Sequence, residues 1–76
     1  MIGIVKYEGE NIAFDIIDGK EYEVVKIEND MLRIIDESGE DYLYFIKNPN
    51  NADKKELMGR WVVVRDITGE LQKVLS

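Results

Sequence analysis

The chain has 76 residues, 45% of them hydrophobic, with a net charge of −6 and neither cysteine nor histidine. The missing residue types exclude disulfide bridges, thiolate or imidazole metal centres, and catalysis by a histidine base or a cysteine nucleophile. A chain of this length buries only about 60% of its unfolded surface, so residues 1–76 are expected to form a single small domain.

The first half of the chain has the pattern of short β-strands separated by turns. Ile2 to Tyr7 is rich in β-branched residues, which favours a strand. Residues 8–20 contain several turn-forming residues and predict a long irregular loop. Beyond the loop, apolar and polar residues alternate between turn signals at Asn29-Asp30 and Ser38-Gly39. The predicted strands of this half are residues 2–7, 22–29, 31–36 and 41–47, the last three forming an antiparallel meander.

The second half begins with a predicted helical turn. Asp53 and Glu56 fit a helix-capping pair, so one short helical turn is expected near residues 53–58. The β-prone run WVVV follows it, and a Thr-Gly turn comes a few residues later. Two further strands are therefore predicted, over residues 61–66 and 70–75.

These elements together predict a mainly β fold. Five to six short antiparallel strands with one helical turn are typical of a small barrel. Closure of the sheet would also remove the unpaired strand edges that an open sheet exposes.

Residues 18–44, DGKEYEVVKIENDMLRIIDESGEDYLY, resemble a family of small uncharacterised bacterial and phage proteins. The shared phrases are GKEYEV and RIIDESGEDYLY. The resemblance implies a Src-homology-3-like β-barrel of bacterial origin, but the family provides no activity to transfer. After Tyr44 the family continues with a proline, whereas this chain continues with Phe45-Ile46-Lys47, so a polyproline-binding groove is not expected.

The phrase DESGED places four carboxylates around Gly39. Calcium-binding loops place oxygen ligands at alternating positions over about a dozen residues, a spacing that two adjacent pairs of acids lack. An acid–base pair for hydrolysis would need a desolvated carboxyl group in a cleft. The sequence therefore predicts the solvated turn of a β-hairpin, with a weak cation site as the alternative and no catalytic site.

Aromatic residues are the candidate protein contacts. Tyr42 and Tyr44 share one face of their strand, and Leu43 and Phe45 share the other. If Leu43 and Phe45 enter the core, the two tyrosines form an exposed aromatic ledge. In the alternative, the tyrosine rings cap the core and keep their hydroxyl groups in water. Trp61, the third candidate contact, is interpreted as a core residue or as the anchor of a dimer.

Lys54, Lys55 and Arg60 are the candidate anion contacts. They belong to residues 47–76, where four acids and six bases give +2, whereas twelve acids and four bases give −8 over residues 1–46. Clustered bases are what a nucleic acid or another anionic partner would contact, but the overall charge of −6 opposes binding to phosphates.

The predicted function is that of a non-enzymatic, cofactor-free protein-interaction module with an unknown protein partner. The start of the chain, MIGIVKYEGE, lacks the basic and apolar regions of a signal peptide, and no apolar run reaches the roughly 20 residues that span a bilayer. A cytoplasmic location without membrane attachment is therefore expected. The alternatives are a nucleic-acid-binding barrel that uses the basic C-terminal segment, and an acidic inhibitor or decoy protein.

Self-association is a further expectation. The run WVVV is apolar on both faces of its strand and needs cover on both. A second copy would provide that cover in a weak homodimer. Alternatively, Phe14 and Ile16 of the long loop, with Leu57 and Met58, fold back as an internal lid.

Overall fold

The computed structural model describes residues 1–49 and 58–75, which form one antiparallel sheet and one short helix. The sheet has the strand order β4-β3-β2-β1-β5. The mainly β prediction is therefore confirmed. No helix within these ranges is long and apolar enough to cross a membrane. The elements are β1 (Gly3–Gly9), β2 (Glu21–Glu28), β3 (Met31–Ile35), β4 (Asp41–Phe45), β5 (Gly59–Asp66) and α1 (Glu70–Leu75).

Two sequence predictions for the second half have different outcomes. The helical turn expected near residues 53–58 falls almost entirely outside the described residues, which resume at Met58. The strand expected over residues 70–75 is wrong, because this segment is the helix α1. The carboxylate of Asp66 caps the helix by accepting hydrogen bonds from backbone N–H groups at its start, at 2.9 Å from Gly69 and 2.9 Å from Gln72.

The core lies on the inner face of the sheet, where every second side chain of β1 is buried. Tyr7 is fully buried and its ring lies against Gly59, where a β-carbon would sit 2.1 Å from the tyrosine oxygen. The close approach of β1 and β5 therefore depends on a residue without a side chain. The buried hydrophobic residues are Val5, Tyr7, Ile16, Tyr22, Val24, Leu32, Ile34, Trp61 and Leu71.

The sheet is strongly curled but open. Backbone pairing within the described residues does not join β4 to β5, so the closed barrel expected from the sequence is not formed by main-chain hydrogen bonds. The Trp61 side chain bridges the two edge strands instead: its indole N–H donates to the carbonyl oxygen of Phe45 at 3.0 Å. The indole also packs edge-on against Tyr44, with ring centroids 6.3 Å apart.

Two register shifts contribute to this curl. One lies in β5, where Val64 has no partner in β1 because Ile4 pairs with Arg65 and Val5 pairs with Val63. The other lies in β2 between Val24 and Lys26, opposite β3. An extra residue in one strand of a pair bends that strand and increases its twist. In β2 the residue left without a partner in β3 is Val25, which lines the groove described below.

Candidate interaction surface

The acidic phrase forms the turn of the β3–β4 hairpin, as the sequence predicts. The backbone N–H of Asp36 donates to the carbonyl oxygen of Glu40 at 3.1 Å, which closes the turn. Gly39 has φ of 83°, a conformation that suits glycine. Within the described ranges, no group of three or more acidic side chains is placed to hold a metal ion.

One carboxylate of this turn is buried rather than solvated. Asp36 is only 5% exposed and accepts hydrogen bonds from the Tyr44 hydroxyl at 2.7 Å and from the Ser38 backbone N–H at 2.9 Å. Burial acts to raise the pKa of Asp36, but hydrogen bonds from Ser38 and Tyr44 outweigh it and hold the pKa below its ordinary value. The carboxylate is therefore a structural anchor, and its charge persists at neutral pH.

A second carboxylate attaches the hairpin to the long β1–β2 loop. The Tyr22 hydroxyl donates to Glu37 at 2.7 Å and accepts a hydrogen bond from the Ile17 backbone N–H at 2.8 Å. The backbone N–H of Glu37 also donates to the carbonyl oxygen of Asp15 at 2.9 Å. Burial and the hydrogen bond to Glu37 raise the pKa of Tyr22 to about 12. The loop and the hairpin are thus held together side by side.

The β1–β2 loop displays an aromatic side chain. Its tip is a tight turn in which the backbone N–H of Ile12 donates to the carbonyl oxygen of Ile16 at 2.8 Å, and Ala13 has φ of 49°. Ile16 is fully buried, whereas Phe14 is 91% exposed. The inward position of Ile16 agrees with the expectation that the loop folds back as an internal lid. Phe14 does not, because the turn between the two residues reverses the chain and directs Phe14 outward.

The tyrosines of β4 have different environments although both face the core side of the sheet. Tyr44 is half-buried against the core cluster and close to Trp61, while Tyr42 lies beyond the core and is 49% exposed. The Tyr42 hydroxyl donates to Glu40 at 2.8 Å. Leu43 lies on the opposite face and is 38% exposed. The structure therefore places Tyr42 alone at the surface, without forming a ledge of both rings.

The other described contact residues, Trp61 and Arg60, are already engaged elsewhere in the fold. The side chain of Trp61 is only 5% exposed and is part of the hydrophobic core. Arg60 is exposed and pairs with Glu8, with its Nη2 2.7 Å from a carboxylate oxygen. Lys54 and Lys55 lie outside the described residues. Of the three candidate anion contacts, the structure therefore describes only Arg60.

We define the acidic aromatic surface as six residues of the region where the β1–β2 loop lies beside the β3–β4 hairpin. Hydrogen bonding to Glu40 and the charge of Glu40 raise the pKa of Tyr42, with smaller contributions from Asp36 and Asp15. The hydrogen bond from the Glu37 backbone N–H to the Asp15 carbonyl oxygen, at 2.9 Å, places the Phe14 turn beside the hairpin. The members of the surface are Phe14, Asp15, Glu37, Glu40, Asp41 and Tyr42.

Sequence reasoning missed two features of this surface. Asp36 follows Leu32 and Ile34 at a spacing of two, and this alternation already places its side chain on the buried face. The exposure of Phe14 has no comparable signal, because it depends on the left-handed backbone of Ala13 and on the Ile12–Ile16 bridge.

The carboxyl groups of Asp36 and Glu37 both have lowered pKa values. Hydrogen bonding from Tyr22 lowers the pKa of Glu37, and Asp36 is similarly kept ionised, so neither carboxyl group is tuned to carry a proton at neutral pH. A scan of protein-family models found no match for this chain, and searches of curated proteins and of solved structures also found none. The resemblance to small bacterial and phage proteins therefore stays a prediction.

Proposed function

We propose that this chain is a small, non-enzymatic protein-interaction module of the cytoplasm, and that its contact surface is the acidic aromatic surface. The observation that supports this proposal most directly is the 91% exposure of Phe14 on a hydrogen-bonded turn. A large apolar ring in water costs free energy that a partner recovers by covering it.

The turn that carries Phe14 is suited to binding because it is already ordered. The Ile12–Ile16 bridge, the buried Ile16 side chain and the contact from Asp15 to Glu37 all fix its position. Aromatic residues that are held rigidly lose little conformational entropy when they bind, and they are frequent among the residues that dominate binding energy. The partner would therefore offer Phe14 an apolar pocket.

We further propose that the curled sheet is a Src-homology-3-like barrel. Two observations support this assignment. The spatial strand order β4-β3-β2-β1-β5 makes β4 and β5 the two edges, and the Trp61 indole joins these edges at the Phe45 carbonyl. A sheet that curls until its edge strands meet is the geometry from which small barrels are built.

The experiment that tests the proposed function compares Phe14→Ala with Ile67→Ala. Ile67 is also exposed, at 52%, but it follows β5 and is outside the acidic aromatic surface. The partner is first captured from cells by crosslinking to the wild-type chain, then purified and titrated by calorimetry. We expect Phe14→Ala to weaken binding by about tenfold or more, and Ile67→Ala to leave it unchanged.

The unfolding midpoint in urea separates loss of binding from loss of structure. Phe14 is almost fully exposed, so its truncation is expected to leave the midpoint unaltered. If the purified partner binds both variants as tightly as the wild-type chain, the contact surface lies elsewhere and this assignment is wrong.

A further inference from the structure

A shallow groove on the outside of the sheet adjoins the acidic aromatic surface. It has a volume of about 490 Å³ and lies across three strands, beside the hairpin turn. Its floor is apolar and its rim is acidic. The lining residues are Val25, Ile35, Gly39, Glu40, Asp41 and Tyr42.

Two backbone features open this groove. Val25 is the residue of β2 left without a partner in β3, which interrupts the strand pairing at the groove. At Gly39 a β-carbon would meet nothing within 4 Å, so the backbone of the turn is open to solvent at this point. Val25 and Ile35 are both half-buried and provide the apolar floor.

The charges of the rim are only partly compensated. Among the described residues, Glu40 has no basic partner, and its side chain accepts only the Tyr42 hydroxyl. Asp41 lies 3.5 Å from Arg33, but the same guanidinium is held more closely by Glu28, at 2.5 Å. The negative charge of the rim is therefore available to attract a cationic group of a partner.

We propose that this groove binds an extended, basic segment of the partner protein, with a lysine or arginine flanked by apolar side chains. The cationic group lies between the carboxylates of Glu40 and Asp41, where their negative charge attracts it. The apolar neighbours cover Val25 and Ile35. The proposal rests on the proposed function, and it assigns to the partner a charge opposite to that of the groove.

The test uses a defined probe, an acetylated and amidated peptide of sequence Gly-Leu-Lys-Leu-Arg-Gly, with a matched peptide in which glutamine replaces both basic residues. Amide and methyl chemical shifts of the chain are followed by NMR at low salt. We expect saturable shifts at Val25, Ile35 and residues 39–42 with the basic peptide. The glutamine peptide is expected to bind at least about fivefold more weakly.

Two variants with the same change in net charge separate the groove from general attraction. Glu40→Gln is expected to weaken binding of the basic peptide by about fivefold, whereas Glu70→Gln, on the exposed start of α1, leaves it unchanged. Equal effects of both variants, shifts centred on another surface, or no shifts at all would each overturn the proposal.

The remaining outcome is occupation of the groove by a second copy. Sedimentation of the chain alone at high concentration tests it. A dimer whose formation shifts the same groove resonances would show that the occupant is this chain, and the proposal of a basic partner segment would be wrong.

The outcome of the peptide experiment is independent of the Phe14→Ala experiment. A partner that depends on Phe14 while the peptide fails to bind leaves the proposed function intact and removes only the groove assignment.

Discussion

At the level of single residues, the buried carboxylate of Asp36 decides how the acidic turn is held. Its two oxygens accept from three donors: the Ser38 backbone N–H, the Ser38 hydroxyl and the Tyr44 hydroxyl. Because Tyr44 packs on the core beside Trp61, Asp36 connects the hairpin turn to the inside of the molecule. At least one acidic residue of the turn therefore stabilises the fold and is not only a solvated surface group.

Asp36→Ala is expected to lower the free energy of unfolding by about 2 kcal/mol, because the Ser38 and Tyr44 donors lose a charged acceptor in a place that water reaches poorly. Urea denaturation followed by tryptophan fluorescence measures the change. Asp41→Ala is the matched control, since Asp41 belongs to the same hairpin but has a half-exposed side chain 3.5 Å from Arg33. A similar loss in both variants would contradict an anchoring role for Asp36.

At the level of elements, the helix α1 covers the end of the core next to β5. Leu71 is fully buried, and a β-carbon on Gly3 would lie 2.5 Å from the Leu71 Cδ1 atom. The helix therefore packs onto bare backbone of β1, and its six residues depend on that packing because isolated helices of this length are unstable.

Leu71→Ala is expected to cost about 2–4 kcal/mol, the usual range for truncating a fully buried leucine. Val74→Ala, on the same helix at a position that is 36% exposed, should change stability little. Thermal unfolding by circular dichroism distinguishes the two. If Leu71→Ala unfolds at the temperature of the wild-type chain, the helix does not contribute to the core.

The β-rich part of the fold could be predicted because its signals are local. Alternation over residues 22–29 and 31–36 and the turn residues between them predicted strands that the structure has over Glu21–Glu28 and Met31–Ile35. The same kind of local reasoning gave a wrong prediction for the segment that forms α1. ELQKVL was predicted to be a strand, although Leu71 and Leu75 have the four-residue spacing of one helix face.

What the sequence could not predict depends on contacts between distant residues. The Asp66 cap, the burial of Leu71 against Gly3 and the outward direction of Phe14 are each set by where another segment lies. The open sheet is a similar case, since turn spacing predicts how many strands form but not whether the last one pairs with β4. Tyr42 could be named as a candidate contact because an aromatic side chain is itself a local signal, and its role in binding stays a prediction.

At the level of the whole molecule, the acidic first part of the chain surrounds all four phenol groups with negative charge. Burial raises the pKa of Tyr7, with further contributions from Glu10 and Asp18. Burial and the hydrogen bond to Asp36 raise that of Tyr44. Burial and the hydrogen bond to Glu37 raise the pKa of Tyr22, and the hydrogen bond to Glu40 raises that of Tyr42. Every tyrosine is therefore harder to ionise in the folded chain than in the unfolded one.

This common shift predicts alkaline unfolding. A phenol whose pKa is raised on folding stabilises the fold fully below its unfolded pKa, near 10, and the stabilisation is lost as the pH rises towards the folded value, which for Tyr22 is about 12. The free energy of unfolding should therefore fall steadily above pH 10.

The absorbance of ionised tyrosine, followed against pH with and without concentrated urea, measures the effect. We expect the tyrosines of the native chain to ionise later than those in urea and in step with the loss of β-sheet circular dichroism. Tyrosines that ionise near pH 10 while the sheet remains intact would contradict the network of phenol–carboxylate contacts on which the acidic aromatic surface is built.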